Sequence, residues 1–183
     1  PVPEAEYHNV VLQPSEQQKE IVASLSERAE KVRNKQVNSN EDNMLVITND
    51  GRKLALDQRL INPMLPDSDT GKVAVCAENV YNIWERTAEK KSTQMVFVDL
   101  STPHNDGQFN VYDDLKKKLL DKGIPESEIA YIHDAKTEAA KKELFGKVRS
   151  GEVRVLIGST QKMGAGTNAQ RKLIALHLSL IHI

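Results

Sequence analysis

Val153-Arg154-Val155-Leu156-Ile157-Gly158-Ser159-Thr160-Gln161-Lys162-Met163-Gly164-Ala165-Gly166-Thr167-Asn168 is the stretch whose reading decides the fold. Its first half is a short, β-branched apolar run, the pattern of a strand covered on both faces in a parallel sheet. The run then breaks into hydroxyls, a lysine and two glycines, which reads as a strand, a turn and the start of a helix. Gly164 and Gly166 permit positive φ and close backbone approach. Unpaired amides at a helix start, beside Ser159, Thr160 and Lys162, make a site for anionic oxygens, and phosphate is the natural ligand.

Two common phosphate motifs do not account for the run. Gly164-x-Gly166-x-x-Ala169 fits the loose dinucleotide fingerprint, but five residues separate it from the strand-ending Gly158 and no acidic residue follows to hold a ribose. The nucleoside triphosphate P-loop requires Gly-Lys-Ser/Thr, which occurs nowhere in the chain.

The pattern Ser159, Thr160, Gly164, Gly166, Asn168 resembles motif V of the superfamily 2 helicases in its Swi/Snf-type form, Ser-Thr-x-x-x-Gly-x-Gly-x-Asn. The match is closest to the second RecA-like lobe of large helicase–methylase proteins of phages and conjugative elements. The resemblance implies an α/β lobe with a parallel sheet and helices on both faces. It also implies that Ser159, Thr160 and Lys162 lie on the DNA backbone and that Gly164, Gly166 and Asn168 lie beside ATP. By the same resemblance Gln94–Pro103 corresponds to motif IV, which puts Ser101 and Thr102 on the nucleic-acid backbone at a strand's carboxyl end, where open α/β sheets place ligands. Turn capping is the plainer role for that pair. ATP with magnesium, the first RecA-like lobe and a fused methylase domain are implied only for a parent protein. Arginine fingers from motif VI, Gln-x-x-Gly-Arg-x-x-Arg, are absent from the 183 residues.

At 183 residues the chain can bury roughly 70% of its unfolded surface, enough for one core plus an extension. A net charge of −1 excludes a strongly basic footprint over the whole chain. After Glu152, however, no acid occurs, whereas Arg154, Lys162, Arg171 and Lys172 do. The single Cys76 excludes an intrachain disulfide, and its place on an apolar helical stripe points to burial. No run approaches the ~20 apolar residues of a membrane span, and no signal peptide is visible, so a cytoplasmic location is expected. Pro1 in place of a methionine leads us to expect a piece of a longer protein.

Residues 1–71 read as a connector from a first lobe. They comprise an extended start, a short strand over Tyr7–Leu12, a helix capped by Ser15 with Ile21, Leu25, Ala29 and Val32 on one face, and a hairpin. The hairpin is expected because Asn49-Asp50-Gly51 lies between the apolar runs Met44–Thr48 and Lys53–Leu56. Leu56–Pro63 resembles the Leu-Arg-x-x-x-x-Pro helix ahead of the second lobe in Swi/Snf-type ATPases, and reads equally as an ordinary helix stopped by Pro63. Pro63–Gly71 is a linker.

Residues 72–177 alternate helix and strand, the signature of a parallel sheet with helices on both faces. Helical spacing links Val73, Cys76, Val80, Ile83, Trp84 and Thr87. Met95–Leu100 is an apolar strand interrupted only by Asp99, Val111, Leu115 and Leu119 form a helix closed by Gly123, and Ile129–Ile132 is the next strand. Ala140, Leu144 and Val148 form a helix closed by Gly151, and Leu173–Leu176 is a last strand. His104, Asn105, Asp106 and Gly107 read as loop chemistry rather than a metal cluster. Lys136, Lys141 and Lys147 read as a solvated helix face. His133-Asp134 stands where related helicases carry His-Gly or Asp-Gly, and Lys141-Lys142 where they carry an arginine.

The favoured reading is the second motor lobe of an ATP-dependent DNA helicase or translocase, with no activity of its own. Phosphoryl transfer needs a Walker A lysine and a magnesium-holding acid from another lobe. The alternatives are a dinucleotide-type binding domain, which lacks its acidic ribose partner, and a RecA-like docking module without motor activity. Residues 178–183, Leu-Ser-Leu-Ile-His-Ile, match translation of a transposon end used in library adapters and are expected to be an adapter-derived, mobile tail. Their composition equally fits an apolar extension of the last strand.

Overall fold

Apolar runs over residues 93–98, 129–131, 155–158 and 173–180 become four strands of one sheet in a computed structural model that describes residues 4–104, 106–164 and 169–180. In chain order the elements are α1 (Glu16–Arg33), α2 (Met44–Leu56), α3 (Lys72–Arg86), β1 (Thr93–Val98), α4 (Val111–Asp121), β2 (Ile129–Tyr131), α5 (Glu138–Ser150), β3 (Val155–Gly158), α6 (Thr160–Met163) and β4 (Leu173–Leu180). The strand order is β2-β3-β1-β4, and every pairing is parallel. The central strands β1 and β3 are buried along their whole length, as their continuous apolar character requires.

Right-handed crossovers decide which face each helix covers. The step from β1 back to β2 puts α4 on one face, where Tyr112, Leu115 and Leu119 join Val73, Ala77 and Val80 of α3 over Val96, Val98, Val155 and Ile157. The steps from β2 to β3 and from β3 to β4 run the other way. They put Phe145 and Val148 of α5 and Met163 of α6 against Met95, Phe97 and Leu156 on the opposite face. The expected α/β architecture with helices on both faces is therefore present. Helices α4 and α5 close on Gly123 (φ 105°) and Gly151 (φ 82°), the left-handed positions that the sequence marks.

Upstream of residue 72 three expectations are corrected. The segment 44–56 is one helix and not a hairpin. Asn43 starts it by accepting from the amides of Leu45 and Val46, and Ile47 and Leu54, seven residues apart, are buried on one face. The Asp-Gly pair lies at the α1–α2 contact, where Asp50 pairs with Arg28 at 2.9 Å and Gly51 faces Leu25 of α1. Tyr7–Leu12 forms no strand; it finds no ladder partner, and Tyr7 and Val11 are exposed. The expected helix over 56–63 is not formed: Leu56 ends α2, and beyond it only a single 3₁₀ turn, Gln58–Leu60, is helical.

Ser15 caps α1 in a reciprocal capping box with Gln18, as its position suggests. The extension is joined to the sheet domain by Arg59. Its nearly buried guanidinium meets Asp57 at 2.7 Å, Asp114 of α4 at 2.8 Å and Asp67 at 3.0 Å, and lies over the Phe109 ring. Lys118 reaches Asp67 and Asp114 as well. Each of the three aspartates is thus ion-paired with a side chain of this chain.

Strand β4 continues through residues 178–180, which pair on β1 as an extension of the strand; Val98 lies opposite Leu180. Residues 181–183 lie outside the described residues.

Candidate functional site at the carboxyl edge of the sheet

Neighbouring strands β1 and β3 send their chains to helices on opposite faces, α4 and α6. This is the topological switch point of the sheet, where a crevice opens beyond the strand ends. Residues 99–102 line one side and residues 159–162 the other. The topology thus brings Ser101, Thr102, Ser159, Thr160 and Lys162 to one edge.

Several of these side chains already have partners within the fold. Ser159 is the N-cap of α6; the Ser159 hydroxyl accepts the Lys162 amide at 3.4 Å, a long contact. The Thr160 amide donates to Asp99 Oδ1 at 2.7 Å and the Thr160 hydroxyl to Oδ2 at 2.9 Å. Ser101 adopts a left-handed backbone (φ 61°), uncommon for a residue with a side chain, and its hydroxyl accepts the first amide of α4, from Val111, at 2.9 Å. Of the two roles open to Ser101, capping is the one the geometry contains. Thr102 is half-buried beside it.

Lys162 is exposed, and no ion pair engages it among the described residues. Across the edge, His133 follows β2 and sets its ring edge-on to Tyr112, at 5.2 Å between centroids. His133 Nδ1 is buried without a hydrogen-bond partner. Burial, and then the positive charge of Lys162, lower the pKa of that imidazole. Tyr112 donates its hydroxyl to the Val98 carbonyl, and burial raises its pKa.

Glycine at 158 and 164 has a packing cause. A Cβ on Gly158 would come within 2.3 Å of Ile132 and 2.8 Å of the Met163 sulfur, so only glycine lets α6 fold back over β3. At Gly164, φ is −78° and not positive, and a Cβ would come within 2.6 Å of the Thr160 carbonyl oxygen. Its close approach is to its own chain. Gly166 and Asn168, expected with Gly164 beside a nucleotide, lie outside the described residues.

The basic character expected downstream of Glu152 is also redistributed. Arg154 is buried at the amino end of β3, donating from Nε to the Ser92 carbonyl at 3.0 Å and from Nη2 to the Trp84 carbonyl at 2.7 Å. Arg171 and Lys172 precede β4 and so lie toward the opposite edge of a parallel sheet. Lys162 alone of the four bases stands at the carboxyl edge.

Asp99 is the site residue that sequence reasoning passed over. Its signal was present, because it is the one charge in the apolar run Met95–Leu100. Elsewhere, Asp106 accepts the Gln108 amide beside Gly107 (φ 71°), Asn105 lies outside the described residues, and Lys141 and Lys147 pair with Glu138 and Glu143 on α5. Burial pushes the Cys76 thiol up to about 12, so it is an inert core group. No helix among the described residues is long and apolar enough to cross a membrane. A scan of protein-family models, a search of curated proteins and a search of solved structures each returned no match.

Proposed function

We propose that this chain is the second, RecA-like motor lobe of an ATP-dependent DNA helicase or translocase, contributing DNA-backbone contacts and part of an ATP site to a larger assembly. The observation that carries the reading is the convergence of two separate segments on one crevice. The motif V resemblance at 159–168 and the motif IV resemblance at 94–103 were drawn from residues about sixty apart, and parallel pairing of β1 with β3 brings their ends together. In this reading Lys162 supplies the positive charge, and Ser101, Thr102, Ser159 and Thr160 frame the backbone path.

ATP with magnesium would be shared with a first lobe, whose Walker A lysine and magnesium-holding acid perform phosphoryl transfer. Gly164, Gly166 and Asn168 are this chain's residues on that side. A DNA methylase domain in the same parent is part of the proposal by resemblance alone. The second reading, a docking module without motor activity, is favoured by one fact: the Thr160 donors are already taken by Asp99.

The test is a pair of measurements on the 183-residue chain. DNA binding is expected to be weak and to fall linearly with salt on logarithmic axes, with a slope that Lys162→Ala reduces by about one. ATP hydrolysis is expected at background with or without DNA. DNA-stimulated turnover above background would overturn the assignment to a lobe inactive alone; DNA binding indifferent to salt and to Lys162→Ala would overturn the backbone contact.

A further inference from the structure

We infer that Asp99 is the positioning residue of this edge: it holds the β3–α6 loop across the switch-point crevice by accepting both donors of Thr160. Asp99 follows the last residue of β1, and Thr160 lies 61 residues further on in the first turn after β3. The crevice between these strand ends is where the two halves of the sheet diverge, and α4 and α6 leave it on opposite faces. No ladder hydrogen bond can cross there, because β3 ends at Gly158 opposite Phe97. The carboxylate does so instead, at 2.7 and 2.9 Å.

The neighbouring contacts make the tie directional. Ser101 takes up a left-handed backbone and caps Val111, and Tyr112 donates to the Val98 carbonyl, so residues 98–101 are fixed to α4. What is fixed to α4 on one side is fixed to Thr160 on the other through Asp99. The loop beyond is short and self-contained: the amides of Lys162 and Met163 donate to the Ser159 carbonyl, and Gly164 donates to the Thr160 carbonyl at 2.7 Å. Placing Thr160 therefore places Lys162. An acid at this edge would oppose an anionic ligand by charge alone, so its retention beside Lys162 has to be explained by geometry. The two hydrogen bonds supply that explanation.

The consequence for DNA rests on the function proposed above; the tie itself does not. Asp99→Asn and Asp99→Ala carry the same charge and differ in whether an acceptor remains for the Thr160 amide. Amide hydrogen exchange on the full chain reads the tie directly. Protection at Thr160 and Gly164 should be retained in Asp99→Asn and lost in Asp99→Ala, with unchanged exchange in α3 and α5. Should Asp99→Ala fail to fold, Thr160→Val, which removes the hydroxyl bond only, should lower protection at Gly164. Binding of a labelled random-sequence DNA duplex, and of one of its single strands, reads the consequence. Asp99→Asn should bind about fivefold more tightly than Asp99→Ala, the value of one hydrogen bond, with equal salt slopes. Equal protection at Thr160 and Gly164 in the wild type and Asp99→Ala would overturn the positioning role. Equal DNA affinity of the two variants, both tighter than the wild type, would show that the carboxylate acts on DNA through charge and would overturn positioning as its route to DNA binding. No DNA binding by any form would instead overturn the DNA reading, and exchange would then decide the tie alone.

Discussion

Arg154 shows how one buried charge is held. Its guanidinium donates to carbonyls of Ser92 and Trp84 and to the Thr87 hydroxyl, and lies over the Trp84 ring. Glu128, 3.9 Å away, gives partial compensation, and burial lowers the arginine's pKa. These bonds satisfy the carbonyl ends where α3 stops and the chain turns into β1. Arg154→Leu is expected to cost about 3 kcal/mol in urea unfolding, since it orphans buried acceptors rather than removing a surface charge. A loss below about 0.5 kcal/mol would contradict that role. From sequence, Arg154 reads only as one of the bases that follow Glu152. The carbonyls that it meets lie 62 and 70 residues away, which no local pattern displays. Gly158 was legible only as the end of a strand; the contacts with Ile132 and Met163 that require glycine there are tertiary.

Among elements, the helices of 72–150 were readable from their amphipathic period and the strands up to 176 from short, β-branched apolar runs bounded by turn residues, whereas residues 178–180, expected as a tail, continue β4. Segment 44–56 was misread because Asp-Gly is a strong turn signal that a tertiary contact overrides. Arg28 holds Asp50 against α1, and Ile47 and Leu54 are buried on one face of the helix. Strand β4 carries its own pH signature. The His177 imidazole Nε2 donates to the Gln94 side-chain oxygen at 2.9 Å, since the Gln94 amide nitrogen is committed to the Val80 carbonyl. Burial lowers its pKa from 6.5 to about 4, so the folded chain keeps it neutral where the unfolded chain protonates it. Its contribution is therefore complete above pH 6.5 and is lost as pH falls from 6.5 toward 4, by up to roughly 3 kcal/mol. Unfolding midpoints measured over that interval should fall in the wild type and fall less in His177→Gln. Parallel curves would show that another group carries the dependence; His133, also lowered by burial, would be the first to test.

For the whole molecule, the extension and the sheet domain are one packed unit. Leu56 enters the α3–α4 core, and Arg59 bridges residues 57 and 67 to α4. The α/β class follows from the alternation of helix and strand, so it was legible in the sequence, whereas the order that sets β1 beside β3, and so brings both candidate loops to one edge, is read from the structure. Which hydroxyls were free was not legible, because Asp99 and Val111 compete for them only once the sheet has formed. Under the proposed function the crevice between β1 and β3 takes a nucleic-acid backbone. Backbone amide shift mapping of the chain titrated with a DNA duplex at low salt tests it most directly. Perturbations confined to residues 99–102 and 159–164, reversed by added salt, are the predicted result. A map centred elsewhere, such as on the exposed face of α1, or none at all at saturating DNA, would contradict it.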